Sequence, residues 1–180
     1  MELVFKAELM DEAAVRRAIV RISHEIIEKN KGTEDTVLVG IRRRGMPISS
    51  MIAENIEKIE GVRLPCGELD IKFYRDDISP EYKDPTVMPS KLPFDVFDKR
   101  VILVDDVMFT GRTARAAIEA IFAMGRPRCI QLAVLIDRGH RELPIRADYV
   151  GKNVPTSRNE TVSVQVAEFD GQTCVNLYSK

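Results

Sequence analysis

Apolar residues near the N-terminus recur at the spacing of a helix. Asp11 precedes them as a residue type that caps helix N-termini, and Gly32 follows them as a type that ends helices. We therefore expect a helix from Asp11 to about Asn30 with one buried face. That face is formed by residues three or four positions apart: Val15, Ala18, Ile19, Ile22 and Ile26.

Short, continuous apolar runs follow this helix, and such runs are typical of strands buried on both faces. They lie at 36–41, 101–104 and 130–136, and weaker strand patterns lie at 68–74, 162–166 and 173–178. Pro47 opens a second helix, and a third spans 112–124 and ends at Gly125. The alternation predicts an α/β fold with a mostly parallel central sheet flanked by helices.

Residues 75–93 interrupt this pattern. They are polar and contain four prolines: Pro80, Pro85, Pro89 and Pro93. A long segment without periodicity inside a compact domain is usually functional or disordered. We expect 75–93 to be a long mobile excursion that serves as a lid or an arm or is disordered.

Length and composition indicate an ordinary globular protein. The chain has 180 residues and a net charge of -1, which fits one domain spanning 1–180. No apolar run approaches the roughly 18 residues of a membrane span, and residues 1–10 lack the apolar core of a signal peptide. The three cysteines (Cys66, Cys129 and Cys174) lie far apart, which is typical of reduced thiols without a metal site. We therefore expect a cytoplasmic protein that contacts no membrane.

The small net charge conceals two oppositely charged segments. Residues 67–98 contain eight acidic and four basic side chains, whereas 138–158 contain five basic and two acidic ones. A uniformly basic surface is therefore excluded, but a local surface for a nucleic acid is not.

The most informative segment is 101–113. Four apolar residues end at Asp105 and Asp106, and Thr110, Gly111 and Thr113 then introduce a helix. The N-terminus of a helix binds phosphate through its free N–H groups and its dipole. Two carboxylates beside it suit sugar hydroxyls, Mg²⁺ or a developing positive charge. A strand-end turn in which one aspartate caps the helix is the plainer interpretation of such a pair.

A second candidate phosphate site lies between the 36–41 strand and the second helix. Gly40 and Gly45 flank Arg42, Arg43 and Arg44, and arginines are suited to binding a polyanion. Alone, such a run is usually a solvated turn. Beside the 101–113 segment it predicts a pyrophosphate-binding loop.

These strings resemble a known family. Residues 101–113 are similar to the phosphoribosyl-pyrophosphate (PRPP) signature of type I phosphoribosyltransferases. Residues 70–77, 135–149 and 151–158 narrow the match, and the Asp137–Tyr149 string is the most specific. Together they resemble the PyrR family, pyrimidine-operon attenuation proteins that are also uracil phosphoribosyltransferases. Arg43 departs from the pattern, because the family usually has threonine there, and it adds charge and bulk to the loop.

The resemblance implies a type I phosphoribosyltransferase fold with a small hood, built from 138–180 and the N-terminal segment. It implies conversion of uracil and PRPP to UMP and pyrophosphate, with Mg²⁺ carried by PRPP and no fixed metal site. Asp105, Asp106 and Arg44 would be catalytic, and Arg138 and Val162 would form the uracil pocket. PRPP and UMP would be bound by Arg43, Arg44, Arg75, Asp105, Asp106, Val107, Met108, Phe109, Thr110, Gly111, Arg112 and Thr113.

The resemblance also implies binding of a stem-loop in the leader of pyrimidine-biosynthesis mRNA, promoted by UMP or UTP, and a homodimer or homotetramer. The RNA face would comprise Arg17, Arg21, His24, His140, Arg141, Arg146 and Lys152. The residues themselves leave another explanation open, because Arg21 with Glu25 and His24 with Glu28 are spaced for ion pairs within one helix.

Several alternatives remain. The chain could be a uracil or other nucleobase phosphoribosyltransferase without RNA regulation, and a purine or orotate enzyme would share only the PRPP signature. A regulator with an inactive site is disfavoured because both aspartates are present. A regulator related to PRPP synthetase would need a second domain, for which 180 residues leave no room.

Overall fold

The structure, a computed structural model, describes residues 3–74 and 92–179. In chain order its strands are β1 (Val4–Met10), β2 (Thr36–Ile41), β3 (Cys66–Leu69), β4 (Arg100–Met108), β5 (Cys129–Asp137), β6 (Tyr149–Asn153), β7 (Glu160–Gln165) and β8 (Cys174–Ser179). Its helices are α1 (Glu12–Asn30), α2 (Gly45–Glu60), α3 (Arg112–Met124) and α4 (Ala167–Asp170). Arg75 and most of the expected 75–93 lid lie outside the described residues.

The strands form two sheets. The central sheet has the order β3-β2-β4-β5-β6, and every neighbouring pair is parallel. A smaller antiparallel sheet has the order β1-β8-β7 and joins the first strand to the last two. The predicted parallel α/β sheet is therefore confirmed. Because parallel strands end at the same edge, the loops after β2, β3 and β4 meet there.

Helices cover both faces of the central sheet, which explains the continuous apolar runs. Leu38, Ile102 and Leu135 pack with α1 and α2, whereas Val39, Leu103 and Val134 pack with α3. Successive strand residues thus point to opposite faces, and both faces need apolar side chains.

The first helix forms as predicted. The Asp11 carboxylate accepts a hydrogen bond of 2.7 Å from the Ala14 N–H, and Lys31 takes the left-handed conformation that ends the helix before Gly32. The predicted apolar residues of α1 are all buried. Among the described residues, no helix is long and apolar enough to cross a membrane.

Several element boundaries differ from the prediction. The expected strand over 68–74 is wrong, because β3 ends at Leu69 and residues 72–74 form a 3-10 turn. The Asp70 carboxylate accepts the Lys72 N–H at 3.1 Å, which bends the chain there. The expected 101–104 strand extends over 100–108, so Asp105 and Asp106 lie within β4 and not after it. The pattern did not predict β1 or β6.

A buried hydrogen-bond network fastens the end of α1 to the sheet. The Tyr149 hydroxyl donates to the Gln131 side-chain oxygen at 2.8 Å and accepts from the Asn30 side-chain nitrogen at 3.0 Å. Gln131 and Asn30 also bond to each other, at 2.8 Å. Burial raises the pKa of Tyr149 to about 12, so the hydroxyl keeps its proton. The network thus joins α1, β5 and β6.

We expect Tyr149→Phe to lower the free energy of unfolding by about 1 kcal/mol, because one buried hydroxyl is lost from a satisfied network. Urea unfolding measures the change. Tyr178→Phe is the matched control, since Tyr178 contacts the Phe5 ring edge to face and should change stability little. Equal losses in the two variants would contradict the role assigned to the network.

Candidate active site

The loops after β2, β3 and β4 enclose the main cavity. Its volume is about 780 Å³, and it opens at the carboxyl edge of the central sheet. Polar and charged side chains from three strands therefore face one space, as expected for a ligand site in a parallel sheet. The lining residues are Ile41, Arg42, Arg43, Glu68, Asp70, Ile71, Lys72, Asp105, Asp106, Val107, Thr113 and Phe169.

Asp105 and Asp106 lie where β4 continues beyond the end of its pairing with β2. Pairing of β4 with β2 ends at Val104, whereas pairing with β5 continues to Met108. Each carboxylate accepts a backbone N–H from the next residue, at 2.9 Å for Asp105 and 2.8 Å for Asp106. Burial, with the negative charge of Asp106 second, raises the pKa of Asp105 well above its usual value. The folded state therefore favours the protonated form of Asp105 over the ionised form.

The phosphate loop lies directly after this pair. A second cavity of about 330 Å³ is lined by Asp105 and by 107–113, so it adjoins the main cavity at the carboxylates. Gly111 has φ 95° and caps α3, a conformation that favours glycine. The Thr110 carbonyl accepts the N–H groups of Glu142 and Leu143 at 2.9 and 3.2 Å. These two hydrogen bonds attach the phosphate loop to the 138–148 segment. The positive end of the α3 dipole lies beside the same loop.

The arginine loop, residues 40–45, packs closely against β4 at Val104. A methyl group at Gly45 would lie 2.3 Å from the Val104 carbonyl oxygen, and one at Gly40 would lie 2.5 Å from Met46 Cα. Only glycine permits these approaches, so the backbone of 40–45 is held beside Asp105. The peptide bond between Arg42 and Arg43 is cis.

The three arginines of this loop have different partners. Arg42 pairs with Asp70 at 3.1 Å and with Glu68 at 3.5 Å. The Arg43 guanidinium lies over the Phe169 ring, and Arg44 pairs with Asp170 at 3.0 Å. The sequence placed Arg43 and Arg44 at the site; the structure places Arg43 on the wall of the main cavity, whereas Arg44 is not among the residues that line either site cavity.

Arg138 lies beneath the phosphate loop and is almost fully buried. Its guanidinium is 4.1 Å from the centre of the Phe109 ring and donates to Thr156 Oγ1 and to the backbone carbonyls of Ser157 and Glu160. Burial lowers the pKa of Arg138. Val162 is buried in β7, two residues beyond Glu160. Arg138 therefore joins the phosphate loop to the start of β7.

The residues expected at an RNA face fall into two groups. Arg17, Arg21 and Lys152 line a third cavity of about 330 Å³ with Met10, Ala14, Ala18 and Gly151, and His24 and Arg146 are exposed. Arg21 also pairs with Glu25 at 2.7 Å, as the alternative explanation expected.

His140 and Arg141 form the second group and bond inward. His140 Nε2 contacts the Thr156 carbonyl oxygen at 2.6 Å. Arg141 pairs with Asp137 and donates to the carbonyls of Phe109 and Ile145 at 2.8 and 2.9 Å. The structure thus places these two side chains against the phosphate loop and its neighbours, not at the third cavity.

Sequence reasoning missed five residues that line the main cavity: Glu68, Asp70, Ile71, Lys72 and Phe169. A signal for four of them existed, because they lie in or directly after β3, the strand adjacent to β2. Phe169 gave no such signal, since the four-residue α4 has no usable periodicity.

Comparisons with known proteins agree with this geometry. The family model described as a phosphoribosyl transferase domain matches residues 7–168. Bifunctional protein PyrR of Caldicellulosiruptor bescii is 66% identical over 168 residues, 93% of this chain and 92% of that protein. The chain belongs to the PyrR family. Bifunctional protein PyrR of Clostridioides difficile is 59% identical over 175 residues, 97% of this chain and 99% of that protein. The predicted family is confirmed.

Solved structures of similar fold include hypoxanthine and hypoxanthine-guanine phosphoribosyltransferases. A hypoxanthine phosphoribosyltransferase of Trypanosoma cruzi has a TM-score of 0.74 at 18% identity and covers 97% of both chains. A hypoxanthine-guanine phosphoribosyltransferase of Bacillus anthracis has a TM-score of 0.73 at 16% identity and covers 99% of this chain and 100% of that one. These likenesses confirm the type I phosphoribosyltransferase fold.

We expect Asp105→Asn to stabilise the fold at pH 7, because the raised pKa shows that the folded state disfavours the ionised carboxyl. The folded state binds this proton more tightly than the unfolded chain does. The gain should therefore be largest above the raised pKa and vanish as the pH falls towards the ordinary value of 3.8. Urea unfolding at pH 7 and near pH 4 measures it.

Glu54→Gln is the matched control for this experiment, since it makes the same chemical change at an exposed carboxylate on α2. It should leave the unfolding free energy nearly unchanged at both pH values. An Asp105→Asn protein less stable than the unaltered protein at pH 7 would contradict the assigned strain.

Proposed function

We propose that the protein converts uracil and PRPP to UMP and pyrophosphate, and that its uridine-nucleotide complex binds a stem-loop in the leader of pyrimidine-biosynthesis mRNA. The observation that carries the proposal is the meeting of the carboxylate pair, the phosphate loop and the arginine loop at adjoining cavities in a PyrR-family chain. Each of the three suits one part of PRPP.

The carboxylates suit the ribose. Its hydroxyl groups are donors, and Asp105 and Asp106 offer acceptor oxygens on the wall of the main cavity. As pyrophosphate leaves, positive charge develops on the ribose ring in an oxocarbenium-like transition state. Two fixed carboxylates nearby stabilise that charge more than they stabilise the neutral sugar, which is the condition for a faster reaction.

The phosphate loop and the arginine loop suit the 5′-phosphate and the pyrophosphate at the two ends of PRPP. Residues 110–113 and the start of α3 receive the 5′-phosphate, with Val107, Met108 and Phe109 completing the turn. Arg43 and Arg44 bind the pyrophosphate and the charge that it gains on leaving. Arg75 has the same proposed role, and the lid at 75–93 would close over the reacting groups and exclude water.

Uracil binds on the side of the site that the ribose and phosphate groups leave open. Arg138 and Val162 contribute to the uracil pocket together with neighbouring backbone. The side-chain contacts of Arg138 with Thr156, Ser157 and Glu160 support a shaping role, because they fix the segment that faces the phosphate loop. Exclusion of water from the site lets uracil, and not a water molecule, attack the anomeric carbon.

Mg²⁺ fits the donor set at this site. Mg²⁺ is typically held by one or two carboxylates together with substrate phosphates, and Asp105 and Asp106 offer hard oxygen ligands beside the arginine loop. Within 3–74 and 92–179, no cluster of three or more His, Cys, Asp or Glu could hold a metal. We infer that Asp105 and Asp106 would hold a Mg²⁺ that PRPP carries, and that the ion would supply positive charge to offset that of the leaving pyrophosphate.

We expect the purified protein to form UMP from uracil, PRPP and Mg²⁺, and Asp106→Asn to lower kcat by about 10²- to 10³-fold, because transition-state charge loses a fixed partner. Liquid chromatography of UMP measures the rate, with Glu54→Gln as the control that should retain activity. Hypoxanthine and orotate should not replace uracil. Full activity in Asp106→Asn would refute the role of this carboxylate.

The regulatory part of the proposal depends on the basic residues around the third cavity. Arg17, Arg21 and Lys152 offer cations to RNA phosphates, and His24 and Arg146 extend this face. His140 and Arg141 bond towards the phosphate loop, so they suit a connection between a bound nucleotide and this face. The active form would be a homodimer or homotetramer in the cytoplasm, where the transcript is made.

We expect UMP to promote a gel shift of the organism's own pyrimidine-operon leader RNA. Arg17→Ala should weaken this binding and reduce the salt dependence by about one phosphate contact, because one cation is removed. Arg16→Ala is the control on the same helix, since Arg16 pairs with Glu12 and does not line the third cavity. A protein that forms UMP but never shifts the leader would be an enzyme without RNA regulation.

A further inference from the structure

The short helix α4 connects β7 to β8 and lies against the arginine loop. Phe169 lines the main cavity together with Arg43, and its ring centre is 4.6 Å from the Arg43 guanidinium carbon. The next residue, Asp170, accepts a hydrogen bond of 3.0 Å from Arg44. Two consecutive residues of α4 thus hold two consecutive arginines of the loop.

The contact with Phe169 leaves the donors of Arg43 available. A guanidinium that lies over a ring face can still donate hydrogen bonds through the N–H groups at its edge. Within the described residues, Arg43 makes no hydrogen bond or ion pair. Arg42 differs, because its edge is occupied by Asp70 and Glu68. A ring therefore fixes the direction of Arg43 without competing for the anion that it would bind.

Asp170 is itself fixed by a backbone hydrogen bond while it binds Arg44. One carboxylate oxygen accepts the Val166 N–H at 2.9 Å, and the other accepts from Arg44 Nη2. The hydrogen bond from Val166, aided by Arg44, lowers the pKa of Asp170. Arg44 Nε is buried and has no hydrogen-bond partner among the described residues. Arg44 is thus anchored at one nitrogen, and its buried Nε is left without a hydrogen-bond partner in the described part of the chain.

We propose that Phe169 and Asp170 are positioning residues that aim Arg43 and Arg44 at the pyrophosphate of PRPP. The inference rests on the proposed function, which places pyrophosphate at this loop. Gly40 and Gly45 fix only the backbone, and a long arginine side chain has many rotamers to lose on binding. α4 removes this freedom before the ligand arrives, which favours binding by preorganisation.

The first test replaces Phe169 and measures PRPP binding by calorimetry, without uracil, and then KM and kcat. Phe169→Leu keeps apolar bulk but removes the ring, so PRPP affinity should fall and KM should rise by about two- to fivefold, with kcat little changed. Phe169→Trp should restore affinity, because Trp offers the best ring face for a cation. Phe122→Leu, at an exposed phenylalanine on α3, should change nothing.

The second test asks whether Phe169 acts through Arg43. In an Arg43→Ala background, Phe169→Leu should cause no further loss of PRPP affinity. Asp170→Asn should likewise weaken PRPP binding only while Arg44 is present. Unchanged affinity in Phe169→Leu, or an equal loss in the Arg43→Ala background, would overturn the inference. Failure of the proposed function would show differently, as a lack of UMP from the unaltered protein.

Discussion

The site depends on one unfavourable arrangement, two adjacent carboxylates within the buried strand β4, just beyond its last pairing with β2. Burial and the neighbouring charge of Asp106 both raise the pKa of Asp105, so ionisation of this carboxyl costs folding free energy. The four apolar residues before the pair, 101–104, are fully buried between helices and hold it in place. A ligand that develops positive charge beside Asp105 and Asp106 relieves this strain, which links the strand's stability to the proposed chemistry.

Each of the surrounding loops is held by contacts with a different part of the fold. Close contact at Gly45 presses the arginine loop onto β4, and the Thr110 carbonyl ties the phosphate loop to 142–143. Arg138 then connects Phe109 to the start of β7. The central sheet thus supplies the carboxylates, and the small sheet with its neighbouring segments orients the groups around them.

Periodicity was sufficient for the helices, whose apolar residues face one way for several turns, and α1 and α3 were predicted nearly to the residue. A continuous apolar run predicted β2 equally well, and the β4 segment with its loop pointed to the site. The apolar pattern was insufficient for β1 and β6, which are edge strands of their sheets, and for Phe169 and Asp170, whose importance comes from contacts across more than 120 positions. The sequence did not show where the loop accommodates the bulk of Arg43. The tertiary structure does, because the Arg43 guanidinium lies over the Phe169 ring.

The central claim is that PRPP and UMP occupy the same carboxylates and the same phosphate loop. Calorimetric titration of PRPP into protein saturated with UMP tests this claim most directly. The account predicts strict competition, with the apparent Kd for PRPP rising in proportion to the concentration of UMP. Simultaneous binding of both ligands to one chain, with affinities independent of each other, would contradict it.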